Sequence, residues 1–490
     1  MIPIIGYGPD IDPTTPGVLV NCANFLPSTK GFEGAPTPMS LGIAALASAC
    51  QGAAVVIKLD DTSRLFAGSA TKLYELSGTS WTDRTRAGDY TLATDQRWTF
   101  AQFGNVSLAA AKSDILQFSA SGAFANVGAS IPKATIVETV NAFVLIFDVN
   151  DQGAIGGYGD SPDRWWCCAK GDYTNWTPSI AAECATARLT SAPGPIKAGK
   201  RFGSAVVAYK ERSMFLGQYV GPPYVWDFSE IPGNAGALGQ SVVISVGTPE
   251  NPQHIFMGPD NFYSYDGARP VPIGNPVKEM VYAELNKTYA HLCVALHDEA
   301  KSRVYFYYPS SGNTTPDKCV VYHYKTGRWG RDDRTVEMAL EYISGGTTYD
   351  NLGSSYATYD DFPNVTYNSG IWAGKLRQPA IFDSSHVLKP LTGPSTTSSM
   401  TLGDFGDENV TSLLSRVTPR FLTRPSQANM VNYYRSSLAD ALTQDMVTPM
   451  DSRARFDVMR EAFWHRLRFD FTGPVEITAL NPVVMTSSAE

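Results

Sequence analysis

One crude phrase recurs along this chain: a strand ending in aromatics, a tight turn of Gly, Asp or Asn, then another aromatic. It reads Lys72-Leu73-Tyr74 … Gly78 … Trp81, then Leu116-Gln117-Phe118 … Gly122 … Phe124, then Trp165-Trp166 … Gly171-Asp172 … Trp176. It returns as Tyr224-Val225-Trp226, as Phe262-Tyr263-Ser264-Tyr265-Asp266-Gly267, and as Val321-Tyr322-His323-Tyr324 … Gly327 … Trp329. The copies stand roughly 40 to 60 residues apart, the length of one four-stranded propeller blade. The expected fold is therefore all-β, a β-propeller of about five to seven blades. Propellers serve as platforms as often as enzymes, so this architecture leaves function open.

Composition agrees. Aromatics make up 11% of 490 residues and there are 42 Gly and 32 Pro, which favours many short strands joined by turns. The best helical candidate, Met39 to Ala49, is Ala-rich but short and interrupted by Gly42. A net charge of -8 excludes an electrostatic nucleic-acid binder, which needs a basic face. The seven cysteines are scattered without a C-x-x-C pair and read as small buried hydrophobes in a reducing compartment. Cys167 and Cys168 are neighbours on an expected strand and should face opposite ways. Met1 to Gly6 lacks the charged start and apolar run of a signal peptide, and no stretch reaches the length of a membrane helix. A soluble protein made in the cytoplasm is expected.

Four regions emerge. Residues 1–38 read as an extended arm, too rich in Pro and Gly for helix or central strand. The arm is nevertheless too apolar to be solvated, through Ile4, Ile5, Val18, Leu19, Val20, Phe25 and Leu26. It should lie on a neighbouring subunit or along the propeller's outside. Residues 39–350 form the propeller, with a hairpin of 204–210 and 213–217, and strand 303–308 pairing with 319–324. Residues 351–400 turn rich in Gly, Ser, Thr and Pro and read as a linker. Residues 401–490 form a C-terminal β unit, sandwich or barrel-like: Leu467, Phe469 and Phe471 alternate with Arg466, Arg468 and Asp470, a strand with one buried face. After Lys389 this region uses only arginine for its cations, including Arg416, Arg420, Arg466 and Arg468. Guanidinium forks suit ion pairs at a subunit interface.

Enzyme chemistry is not legible. A propeller glycosidase needs paired carboxylates. The candidates Asp148, Asp151, Asp160, Asp163, Asp172, Asp227, Glu230, Asp260 and Asp266 mostly adjoin Gly or Pro, where Asp stabilises turns. The six His are spread without a His-x-x-x-His pair, and His297-Asp298-Glu299 reads as a charged hairpin turn rather than a metal site. There is no G-x-S-x-G and no Walker loop. No enzyme, no cofactor and no metal are expected.

Several phrases resemble the tail nozzle, or packaged-DNA stabilisation, proteins of short-tailed bacteriophages. They are Arg64 to Tyr74 running to Trp81-Thr82-Asp83, Arg97-Trp98-Thr99-Phe100-Ala101-Gln102-Phe103-Gly104-Asn105, and Arg164-Trp165-Trp166 … Gly171-Asp172 … Trp176. Gly258 … Asp266-Gly267, Val321-Tyr322 … Gly327-Arg328-Trp329 and the opening Gly6-Tyr7-Gly8-Pro9-Asp10 … Pro16-Gly17 share the likeness. It covers most of residues 1–350. Tyr74, Trp81, Trp98, Trp166, Asp172, Trp176, Asp266, Gly267 and Trp329 are packing and turn positions in it. The resemblance implies a virion tail protein, assembled in the host cytoplasm as a ring, a homohexamer, beneath the portal and adaptor proteins. Such a ring encloses a channel for double-stranded DNA, retains the packaged genome, allows its ejection, and carries contacts for a tail needle or fibres. Tyr7, Pro9, Asp10, Pro16 and Phe25, with the four arginines, are the expected subunit-interface residues. The rival expectation is a carbohydrate-binding or glycan-degrading propeller that engages a receptor, with Trp165, Tyr224 and Trp226 stacking on sugars.

Overall fold

A computed structural model describes residues 1–153, 157–343, 358 and 377–486. It is all-β and contains a propeller. Six antiparallel sheets of four strands stand free, and a seventh four-stranded unit forms the start of a larger sheet. Their innermost strands are Ala53–Ile57, Thr99–Phe103, Lys133–Val140, Ala198–Phe202, Val243–Thr248, Val294–Asp298 and Met338–Ile343. Each of these neighbours the next, and the last returns to the first, so seven blades close into a ring. Blade seven takes three strands from its own region and its outermost one, Thr37–Pro38, from the start of the chain.

Tryptophans of the recurring phrase occupy the seams between blades. Trp98 is buried between blades one and two with Phe66, Tyr90 and Phe124, and its indole N–H donates to the Ser69 carbonyl at 2.9 Å. Trp166 and Trp176 lie in the next seam, where Trp166 donates to the Trp176 carbonyl at 3.1 Å. Trp165 and Trp226 are buried in the one after. Trp329 lies between blades five and six, 4.9 Å from the Phe262 ring centroid. Trp81 closes the circuit against Phe382 of blade seven at 5.8 Å. Large flat side chains suit these positions because neighbouring blades splay outward and leave a wedge to fill, and the indole N–H groups of Trp81, Trp98, Trp166 and Trp329 each find a carbonyl. One close approach demands glycine: a Cβ on Gly68 would stand 2.2 Å from Trp98 Cδ1.

Residues beyond blade seven, joined by the N-terminal arm, make a β-sandwich. One sheet runs Phe25–Pro27, Phe32–Gly34, Glu476–Thr486, Ser412–Thr423 and Phe456–Ala462, with Ile2–Pro3 paired on Glu476–Thr486. The other runs Gly6–Tyr7, Val18–Ala23, Thr397–Leu402, Trp464–Thr472, Gln427–Arg435 and Thr443–Pro449. Between them pack Leu19, Phe25, Phe32, Met400, Leu414, Met430, Phe456, Leu467, Phe469, Phe471 and Ile477. Burial along Trp464–Thr472 alternates as the Leu467, Phe469, Phe471 pattern predicts. The first sheet is continuous with blade six, because Phe25 pairs with Arg331 on that blade's outermost strand.

The arm follows one expected placement in part, since Phe25 and Thr37–Pro38 pair with the outer strands of blades six and seven, but the rest of it enters the sandwich. Val18, Leu19, Phe25, Leu26 and Phe32 are fully buried inside their own chain. The partner surface they need is the C-terminal half of the same molecule, several hundred residues away in sequence. The propeller also extends past residue 350, since Arg377–Phe382 and Leu388–Gly393 are strands of blade seven. The first half of the expected linker, apart from Thr358, lies outside the described residues; the second half contains the strands Arg377–Phe382 and Leu388–Gly393 and enters Thr397–Leu402. The segment from Met39 to Ala49 is not helical, with Gly42 at φ +70°. Among the described residues the α-helix is Lys278–Glu284, where the Asp10 carboxylate accepts from the Glu279 and Met280 amides at 2.6 and 3.1 Å. Local Ala content is overridden there by tertiary packing.

Candidate functional site

Several of the expected interface residues make contacts within the chain. Tyr7 is buried and its hydroxyl meets Arg331 at 3.3 Å; Asp10 caps the helix; Phe25 stacks on Phe32 and Phe471. Pro9 is half-buried, and Pro16 is exposed at the bend before Val18. Arg416 pairs with Asp457 at 2.5 Å, Arg468 with Asp470 at 2.9 Å, and Arg466 with buried Asp404 at 2.7 Å. Arg435 meets the same Asp404 carboxylate at 2.5 Å. Arg420 is exposed. Arg416 thus ties two adjacent sandwich strands through Asp457, and Arg435 and Arg466 tie theirs to the loop that carries Asp404.

The phrase residues take packing and turn positions. Asp172 accepts from the Thr174 amide and hydroxyl at 2.9 and 2.6 Å, and Asp266 from the Ala268 amide at 3.2 Å beside Gly267 at φ +107°. Tyr74 is partly buried against the cluster joining blades six, seven and one.

An axial channel of about 990 Å³ runs between the innermost strands. Its charged lining is Lys200, Lys325 and Arg377 against Glu299 and Glu341, with His297 beside them. This channel is the propeller's own axis, and its volume suits small molecules. On its wall the Glu341 carboxylate accepts from Arg377 at 2.8 Å and lies 2.9 Å from His297 Nδ1. Burial pushes the Glu341 pKa up, but His297 and Arg377 outweigh it and hold the carboxyl below its usual range. A His–carboxylate pair can relay a proton, and Glu299 and Tyr324 line the same channel.

Other expected chemistry is placed as follows. Asp298 accepts from the Lys301 amide at 3.0 Å, as a hairpin turn requires. Asp151 accepts from the Gly153, Tyr158 and Gly159 amides, and Asp163 pairs with Arg188 at 2.9 Å. Among the described residues no cluster of three or more His, Cys, Asp or Glu is arranged for a metal. All seven cysteines are free and buried, and Cys167 and Cys168 face different seams. Burial raises the Cys168 pKa to about 12, so this thiol stays protonated. Trp165 and Trp226 are buried and cannot stack on a sugar, whereas Tyr224 is 76% exposed.

Two features escaped sequence reading. The first is an open flank of the sandwich. Thr443–Pro449 and Phe456–Ala462 are edge strands of the two sheets, linked by Arg460 and Asp445 at 2.8 Å. Around them Met446, Val447, Met459 and Met485 are exposed, Met446 by 84%. The second is a cleft of about 400 Å³ where the arm, blades six and seven, and the sandwich meet. Strand-by-strand reading misses both, because their residues come from distant parts of the chain.

The chain matches no protein-family model and no curated protein sequence. Among solved structures it is similar to YCF48 bound to a D1 peptide, with 11% identity and a TM-score of 0.33 over 60% of this chain and 88% of that one. A chain of the mitotic checkpoint complex matches with 7% identity and a TM-score of 0.39 over 72% and 95%. A puromycin hydrolase matches with 12% identity and a TM-score of 0.34 over 71% and 60%. At this distance they assign no function, and the propeller stands on its own strand pairing.

Proposed function

We propose that this chain is a structural subunit, without catalytic activity, of a ring at the distal end of a short phage tail. The ring is a homohexamer that docks beneath the portal and adaptor and presents contacts for a needle or fibres. It keeps the packaged genome in the virion until ejection. The observation that carries the reading is the open flank of the sandwich. Thr443–Pro449 is an edge strand with one charged residue, exposed on both faces and flanked by exposed methionines. Such an edge offers unpaired backbone groups and apolar side chains to another chain, and monomeric proteins normally blunt it. A second copy covering it with a different surface, head to tail, builds a closed ring when the rotation between copies closes. Double-stranded DNA then passes through the hole between subunits rather than along the propeller axis, and the net charge of -8 disfavours its sticking.

The test is the mass and shape of the purified protein by light scattering and negative-stain imaging. A closed ring with a hole wide enough for duplex DNA is expected, and Met446→Glu should shift it to monomer. A protein that remains monomeric at high concentration, with or without that substitution, rejects self-assembly through this flank.

A further inference from the structure

We propose that the acidic end of the sandwich in one copy of this chain docks on the basic end of the sandwich in the next. This rests on the tail-ring reading and names the surface of the second copy that makes its head-to-tail contact.

Loops between the sandwich strands gather at its two ends. Asp407 and Glu408 precede the strand Ser412–Thr423 at one end, and Arg420 stands near that strand's other end. Extended chain from Glu408 to Arg420 spans about 35–40 Å at roughly 3.3 Å per residue. Asp440 belongs to the first end: its loop follows Arg435, which lies opposite Trp464, and Trp464 in turn lies opposite Gly406. Glu461 belongs there too, since the Thr411 hydroxyl donates to its carboxylate at 2.9 Å. At the second end Arg424 donates to the Asp451 and Ser452 carbonyls, both at 3.0 Å, and so sits on the loop that carries Arg453. Lys30 arrives on the turn before Gly31, where a Cβ would stand 2.1 Å from the Ile477 carbonyl oxygen. The neighbouring Thr478 hydroxyl donates to the Arg420 carbonyl at 3.4 Å.

Asp407, Glu408, Asp440 and Glu461 are all exposed, as are Lys30, Arg420, Arg424 and Arg453. Among the described residues the ion pairs of the sandwich use other groups: Arg416 with Asp457, Arg455 with Asp451, Arg460 with Asp445, and Arg435 and Arg466 with Asp404. Glu476, which accepts from the Ser28 hydroxyl at 3.1 Å, offsets one cation of the basic end. Acid left over at one end and base left over at the other each repel themselves, and the opposite end of a second copy relieves both. Such complementarity fixes orientation and register more than it adds affinity. End-to-end contact between like ends would set acid on acid, so the charges favour the heterologous contact that a ring requires. Apolar area comes from exposed Leu422 among the arginines and from Val447 and Met446 of the adjoining flank.

The test is the mass of charge-reversed full chains by light scattering. Glu408→Lys, Asp440→Lys and Glu461→Lys together make both ends basic. Lys30→Glu, Arg420→Glu and Arg453→Glu together make both ends acidic. All six positions are exposed, and a thermal melt checks that each variant keeps its fold. Wild type should form rings, each variant alone should associate at least about tenfold more weakly, and an equal mixture of the two should regain rings of alternating subunits. Wild-type rings that persist in either folded variant alone, or a mixture that stays monomeric, overturn this docking and leave the ring reading standing. A monomeric wild type overturns both. A wild type that stops at a dimer overturns the head-to-tail contact, because a two-fold contact of flank on flank also sets unlike ends together.

Discussion

Leu391 pairs with Pro38, and Gly393 with Thr37, so the last blade of the propeller borrows its outer strand from the start of the chain. The same arm then supplies strands to both sheets of the sandwich. Ring closure and sandwich folding are therefore coupled through about forty residues that have no core of their own.

Removing residues 1–38 should abolish cooperative folding, not merely assembly. Within the arm, Phe25→Ala should cost about 3–5 kcal/mol, the usual loss for truncating a fully buried phenylalanine. Urea unfolding followed by tryptophan fluorescence measures it. A truncated chain that melts like the full one would refute the coupling.

The seam between blades one and two should be intolerant of a single methyl. Gly68→Ala forces its Cβ against the Trp98 ring and should destabilise by about 1–3 kcal/mol. Combining it with Trp98→Ala, which removes the crowding ring, should cost less than the sum of the two single changes in a double-mutant cycle.

Asp404 is a fully buried carboxylate between two guanidiniums. Asp404→Ala leaves Arg435 and Arg466 without their anion and should cost about 3–5 kcal/mol in chemical denaturation. Asp404→Asn keeps part of the hydrogen bonding and should lose less.

His254 should make stability fall in mild acid. Its Nδ1 lies 2.6 Å from the Tyr209 hydroxyl and its Nε2 lies 2.9 Å from the Arg201 carbonyl, an arrangement that suits neutral imidazole. Burial lowers its pKa from 6.5 to about 4. Because the folded value is depressed, the contribution is complete above the unfolded value and is lost as pH falls towards the folded one. Between pH 6.5 and 5 the loss should be about 2 kcal/mol, at about 1.4 kcal/mol per pH unit. His323 and His465 are depressed in the same direction. The wild-type slope therefore sums all three, and His254→Gln should flatten it by one share.

Met446→Glu should leave monomer stability within about 0.5 kcal/mol of wild type, as surface changes do. A large drop in the melting temperature of the dilute protein would place Met446 in the monomer's own packing.

Aromatic phrases were readable as blade repeats because each is local, a strand and the turn after it within a few residues; that Trp98, Trp166 and Trp329 fill the seams between blades was not. The Leu467, Phe469, Phe471 alternation was readable for the same reason, since a strand shows its buried face in its own sequence. The helix Lys278–Glu284 was not readable, because its Asp10 cap lies 269 residues away. Nor was the pairing of Arg466 with Asp404, 62 residues apart, although both residue types were conspicuous in a lysine-free stretch.

The sequence by itself determined an all-β chain, a propeller of repeated aromatic blades, and a C-terminal strand with one buried face. These are properties of periodicity and turn chemistry, which a few neighbouring residues encode. Only the tertiary structure decided that seven blades close, that the apolar arm finishes blade seven and enters the sandwich, and that the arm, blades six and seven and the sandwich meet in one cleft. Those outcomes depend on which distant surfaces bury one another, and burial acts on area and shape irrespective of separation along the chain.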